Sequence, residues 1–160
     1  ELPLSAATRE ALVAFVEEGN GFLGVHSATD SLYEFPRYRD LIGSWFRDHP
    51  YREGTLRRVE ADHPATADLP ETLVISEELY RFREDPRARG MVTLLELERV
   101  VGAPVGEYLP SAWCGRVGDG RTIYTALGHL EATWSAGWFR DHVDGALGWA
   151  AGTRPSGVCG

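Results

Sequence analysis

The residues best placed to do chemistry sit in one short segment, Phe22-Leu23-Gly24-Val25-His26-Ser27-Ala28-Thr29-Asp30. An apolar run ends in a histidine that has a small residue two positions before it, Gly24, and another two positions after it, Ala28. This is the spacing of a nucleophile elbow, a strained strand-to-helix turn that thrusts one side chain out of the sheet and leaves no room for bulky neighbours. Hydrolases carry Ser or Cys at the tip. An imidazole there suits metal ligation or proton transfer better than covalent attack. The plainer alternative is a histidine that merely ends a strand and hydrogen-bonds locally.

Four more histidines are present. His49 lies in Asp48-His49-Pro50 and His63 in Asp62-His63-Pro64, where the proline holds the residue before it extended. His129 follows the strand-like run 122–126 through Leu127-Gly128, whereas His142 falls on an apolar helical stripe and reads as core. His26 and His129 thus both come just past strand ends, and α/β sheets bind ligands outside that edge. Ser76-Glu77-Glu78-Leu79-Tyr80 follows another such run, so one glutamate could reach the same rim; otherwise Glu77 and Glu78 are a solvated pair. Glutamate with several histidines is a common zinc set with a position left open, although no HExxH spacing occurs. Trp113 and Trp134 offer aromatic faces of the kind that stack on sugar rings, or equally core packing. Cys114, inside a strand, reads as buried and inert.

The elements that would position these groups follow from periodicity. Ser5 caps a helix over 6–18 with Leu12, Phe15 and Val16 on one face. Gly19-Asn20-Gly21 stops it, and the apolar run 22–25 reads as a buried parallel strand. A second helix is expected over 36–46, with Tyr38, Leu41, Ile42, Trp45 and Phe46 on its stripe. Strands are expected over 54–60, 72–75 and 91–97, with 81–90 a solvated loop. The runs 111–117 and 121–126 flank Gly118-Asp119-Gly120 as a hairpin, not a phosphate loop. A last helix over 136–151 carries Trp138, Phe139, His142, Val143, Ala146, Leu147 and Ala150 on one stripe.

Composition narrows the partners. The chain has 160 residues, 16 basic against 24 acidic, and a formal charge of -8. That surface repels phosphate backbones and anionic lipid, so neither nucleic acid nor membrane is expected as a partner. No apolar run approaches the roughly 20 residues of a membrane span, and no secretory signal is present. Two cysteines are too few for a disulfide framework or a Cys-rich metal site, so a reducing, cytoplasmic setting is expected. The chain opens Glu1-Leu2-Pro3 without an initiator Met and reads as one α/β domain, 1–160, cut from a longer protein.

Five blocks in order, GNGFLGVHSATD, LIGSWFRDHP, DHPATADLP, SEELYRF and GDGRTIYTALGHLEATW, resemble the ThuA-like (trehalose-utilisation) family of the class I glutamine amidotransferase-like superfamily. The resemblance implies a flavodoxin-like, doubly wound, mainly parallel sheet with helices on both faces, here lacking the family's opening strand, helix and second strand. The positions matching its recurrent polar residues are His26, Asp30, His49, His63, Glu78, Tyr80, His129 and Glu131. His26 stands where the amidotransferases carry a catalytic Cys, so thiolate glutaminase chemistry is not implied. Family members are linked to catabolism of trehalose and other glycosides, often beside oxidation to keto-sugars.

Two readings follow. In the first the protein is a sugar-acting hydrolase, lyase or isomerase, with His26, Glu78 and His129 catalytic and Asp30, Tyr80, Trp113 and Glu131 binding the sugar. A divalent metal such as zinc would sit on His26, His63, Glu78 and His129, with His49 as the alternative to His63; otherwise there is no cofactor. In the second it is a non-catalytic sugar-binding or assembly module that has lost its nucleophile. A Cys hydrolase built on Cys114 is a third, disfavoured by the strand position. The partner expected is a small-molecule sugar, with a homo-oligomer also compatible.

Overall fold

The computed structural model describes residues 2–100 and 103–159, and only the backbone of 103 and 104. Helix α1 is Ala6–Glu17, capped by the Ser5 hydroxyl, which accepts from the Thr8 N–H at 3.1 Å. Its buried residues are Val13 and Val16, whereas Phe15, expected on the buried face, is exposed. Strand β1, Gly21–Val25, leads into one turn of 3-10 helix, His26–Thr29, and then α2, Pro36–Ile42. This helix ends short of the expected residue 46 because Gly43 takes φ +97°, and a Cβ there would lie 2.6 Å from Trp113 Nε1. Then follow β2 (Phe46–Arg58), β3 (Thr72–Phe82), a 3-10 turn (Pro86–Arg89), β4 (Val92–Val100), β5 (Ala103–Pro104), β6 (Pro110–Val117) and β7 (Gly120–Thr125). Helices α3 (Glu131–Ser135) and α4 (Gly137–Ala150) close the order.

The sheet runs β1-β7-β6-β4-β2-β3, with β5 beside β4. Among the described strands only β1 and β7 are parallel; every other pair is antiparallel. The expected flavodoxin-like, mainly parallel sheet is therefore wrong for this chain. The reason lies in the connections: parallel neighbours need a crossover of a dozen or more residues, usually a helix. Among the described residues no helix separates β2, β3, β4 and β6, apart from one 3-10 turn. The hairpin at Gly118 and Asp119 forces β6 and β7 antiparallel as expected. Strand β1 is indeed parallel to β7, but it ends the strand order and is half-buried instead of sitting mid-sheet.

Helices do cover both faces. On one, Phe139, Ala146 and Trp149 of α4 pack on Leu56, Leu79, Leu97 and Ile123. On the other, Val13, Val16, Leu41 and Ile42 pack with Tyr80, Phe82, Trp113 and Tyr124. Neighbours along a strand fall on opposite faces, as the two-residue period requires: Ile123 lies in the first cluster and Tyr124 in the second. On α4, Leu147 was expected on the buried stripe but is exposed, while Trp149 takes a buried place.

Although β1 and β3 lie at opposite ends of the strand order, His26 at the end of β1 touches Tyr80 on β3. Phe82 on β3 likewise meets Trp113 on β6, ring centroids 4.8 Å apart. The sheet curls until its two edges approach across the α2 face. Cys114 and Cys159, expected as separate thiols, are joined as a disulfide with Cα atoms 5.9 Å apart. The C-terminal tail returns to β6 to make it, a path that a sequence separation of 45 does not announce.

Candidate functional site

His26 is one of three non-glycine residues with positive φ among the described residues, at +47°. Such a conformation costs about 1–3 kcal/mol and persists only where its surroundings over-determine it. Tyr124 does so from β7, its hydroxyl donating to the His26 carbonyl at 2.7 Å and sharing a 2.9 Å bond with Thr29. Gly24 is needed because a Cβ there would stand 3.1–3.2 Å from Ile42, Phe22 and Tyr124. The small residue two before the histidine thus has the reason the sequence suggested.

The imidazole is fixed from both ends. Its Nδ1 lies 2.9 Å from the Ala126 carbonyl, which can only accept, so Nδ1 carries the proton. In the neutral ring Nε2 is then the acceptor, and the Tyr80 hydroxyl lies 2.9 Å from it. Burial, reinforced by the Glu78 charge, pushes the Tyr80 phenol well above its ordinary pKa, so it remains a proton donor at neutral pH.

Glu78 gathers the remaining groups. Its Oε2 lies 3.5 Å from His26 Nε2 and 3.4 Å from His129 Nδ1. Its Oε1 accepts from Arg52 at 2.7 Å and stands 3.7 Å from His49 Nε2. Burial, the largest single influence, pushes this carboxyl up. The Arg52 hydrogen bond and the charges of His49, His129 and Arg52 together outweigh it and hold the pKa below its usual value. The side chains of His26 and Glu78 are 12% and 13% exposed, and His129 is 43% exposed, so the cluster opens to solvent on the His129 side. Beside it, a groove of about 470 Å³ is lined by Phe46, Arg47, Asp48, His49, Pro50 and Arg81.

The structure therefore brings His26, Glu78 and His129 together, with Tyr80 and His49. Glu78 arrives by a different route from the one expected. It does not follow a parallel strand; it lies within β3, and the curl of the sheet carries it to the rim where β1 and β7 end.

Four other expected residues stand apart. His63 is not a member of the metal set: it is buried on the α4 face against Trp149, ring centroids 5.0 Å apart, and its Nδ1 accepts from the Ala65 N–H. Trp113 cannot meet a sugar, because it is fully buried, packed at a tilt against Tyr124, with its indole N–H donating to the Ile42 carbonyl. Glu131 is exposed at the first position of α3. Asp30, also exposed, accepts from the Tyr33 hydroxyl at 2.5 Å.

Two groups escaped the sequence reading. Arg52 had no signal of its own. Glu77 was grouped with Glu78, and only strand register could separate them.

His26, Glu78 and His129 each offer one ligand atom, all within 4.8 Å of one another. In a tetrahedral zinc site with bonds of about 2.0–2.1 Å, ligand atoms stand about 3.3 Å apart; the two contacts to Glu78 Oε2, 3.5 and 3.4 Å, approach that spacing. The Nδ1–H of His26 on a backbone carbonyl is also the outer-shell contact that metal-bound histidines make. The residues present fit a divalent ion.

The fold and site describe a mixed α/β domain with a curled, mostly antiparallel sheet and a His/Glu cluster at its rim. A family model described as ThuA, trehalose utilisation, matches residues 2–150, and the chain belongs to that family. Comparison with curated proteins finds no match. Among solved structures, a ThuA-like protein from Bacteroides uniformis superimposes with a TM-score of 0.75 at 23% identity, covering 92% of this chain and 65% of its own. A ThuA-like protein from Parabacteroides merdae gives 0.72 at 20% identity, with 96% and 68% covered. A cytoplasmic protein from Salmonella typhimurium gives 0.60 at 15% identity, with 94% and 63% covered. The chain thus spans about two thirds of the length of these structures. The family is described by trehalose utilisation, and the solved structures share its fold.

Proposed function

We propose that the cluster is the reaction centre of an enzyme acting on a glycoside or keto-sugar, and the observation that carries this is the convergence of His26 and His129 on one Glu78 oxygen. With Nδ1 turned to Glu78, His129 leaves Nε2 as the base. The proton beside a sugar carbonyl is acidified by that carbonyl, so an imidazole can take it near neutral pH. The Tyr80 hydroxyl, protonated at neutral pH, turns its one proton from His26 Nε2 to the oxygen on which charge develops. The C–O bond to the leaving group then breaks, and its oxygen recovers the proton from His129; alternatively the proton returns to a neighbouring carbon as an isomerisation.

Alternatively, a divalent ion such as zinc held by His26, Glu78 and His129 would polarise the sugar carbonyl, with His129 then a ligand and not the base. Trp134, 45% exposed and pinned by its indole N–H to the carbonyl of Gly128, offers a sugar-stacking face beside His129. This takes the place expected of Trp113.

The test is elemental analysis of the full-length protein, then a screen of glycosides and their keto derivatives with the metal found. Turnover lost in His129→Ala and Glu78→Gln supports the reading. Sugar binding without turnover, unaffected by either substitution, would establish the binding module instead.

A cytoplasmic location is proposed from the likeness to the Salmonella typhimurium protein, and among the described residues no helix is long and apolar enough to cross a membrane. The Cys114–Cys159 bond, which a reducing compartment would open, is its check: free thiols in protein trapped directly from cells support the location.

A further inference from the structure

We propose that Glu77 is a positioning residue, a buried carboxylate that fixes where Glu78 and His129 stand relative to each other; this rests on reading their cluster as the reaction centre. Glu77 is 1% exposed. One of its oxygens accepts from the N–H groups of Gly128 at 3.0 Å and Leu130 at 3.3 Å, the two residues that flank His129. The other accepts from the N–H of Glu78 at 3.1 Å. A single side chain thus ties together the backbones of the two residues whose side chains meet at 3.4 Å.

The arrangement follows from strand alternation. Along β3, Ile75, Glu77 and Leu79 face the α4 side while Glu78 and Tyr80 face the site. Glu77 therefore reaches the loop after β7 from behind, where it cannot touch a substrate held between His26 and His129. The loop is shaped to receive it. Gly128 takes φ +109°, and a Cβ there would stand 3.1–3.4 Å from Phe139, Val25 and Trp134.

Three backbone donors meeting one side chain call for a group that only accepts. An amide would turn its NH₂ toward at least one N–H, and a buried donor left without a partner is costly.

The test uses the full-length protein with ¹⁵N-labelled histidine and the variants Glu77→Gln and Glu77→Asp. Ring ¹⁵N signals of His129 are compared with and without Glu78→Gln, alongside Zn²⁺ titrations and melting curves. In the parent protein the His129 ring should respond to Glu78→Gln. In folded Glu77→Gln that response should fall to less than half, Zn²⁺ affinity should drop about 10–100-fold, and Glu77→Asp, which keeps the carboxylate, should recover part of both. A folded Glu77→Gln whose His129 ring responds as in the parent overturns the proposal. So does failure of both variants to fold, which would make Glu77 a residue of the fold alone. If the parent neither binds Zn²⁺ nor turns over sugar, the reading of the cluster fails by itself, and the His129 response still decides the role of Glu77.

Discussion

The Tyr80 hydroxyl stands 2.9 Å from His26 Nε2, joining the two ends of a sheet whose first and last strands share no hydrogen bond. Removing that hydroxyl separates chemistry from packing, because the Tyr80 ring also packs on Phe46 at 4.4 Å and would stay. Tyr80→Phe is expected to lower kcat/KM on the sugar substrate by about 10²-fold or more, with stability changed by only about 1 kcal/mol. Steady-state kinetics and urea melts check both; an unchanged kcat/KM would remove Tyr80 from the mechanism.

Acid should weaken the α4 face. Burial, aided by the neighbouring His142 charge, pulls His63 down to about 4, and burial likewise pulls His142 to about 4 despite its bond to the Ala65 carbonyl. Both values are depressed from 6.5, so between roughly pH 6.5 and 4 the unfolded chain binds more protons than the folded one. The stability contributed is whole above pH 6.5 and lost as pH falls to 4, up to about 3 kcal/mol per histidine. Urea midpoints measured across this window should fall, and the slope should shrink in His63→Phe. A flat profile would place these imidazoles in contact with water.

The Cys114–Cys159 bond closes a loop of 45 residues, for which chain entropy gives a stabilisation of about 4 kcal/mol. Cys159→Ser, or reduction of the native protein, should therefore lower unfolding free energy by about 2–4 kcal/mol. Thiol titration of the oxidised native protein should find no free cysteine. Two reactive thiols in oxidised, unfolded protein would show that the bond does not form.

Leu41 on α2 and Trp45 just beyond it are both buried, although only the first is helical. Truncating either to alanine is expected to cost about 2–5 kcal/mol through lost burial and the cavity left behind. Melting curves indistinguishable from the parent would mean that this stripe packs on nothing.

The sequence by itself determined what local rules control. Ser5 capping α1, the Gly118-Asp119 hairpin and the elbow at His26 are all set by residues within a few positions of one another. So was the nomination of His26, Glu78 and His129, which came from residue type, from position after strand-like runs, and from family blocks. Strand direction was decided elsewhere. An apolar run such as 22–25 reads the same in a parallel and an antiparallel neighbourhood, and direction depends on which strand lies alongside, a matter of connections between distant segments.

The curl that carries Glu78 and Tyr80 to His26 is likewise a property of the whole sheet. The assignment of Glu77 to the back and Glu78 to the front turned on register, where a slip of one residue exchanges the faces. His63 and His49 show the same division: each precedes a proline and follows an aspartate, and only the packing of α4 buries the first while β2 delivers the second to Glu78.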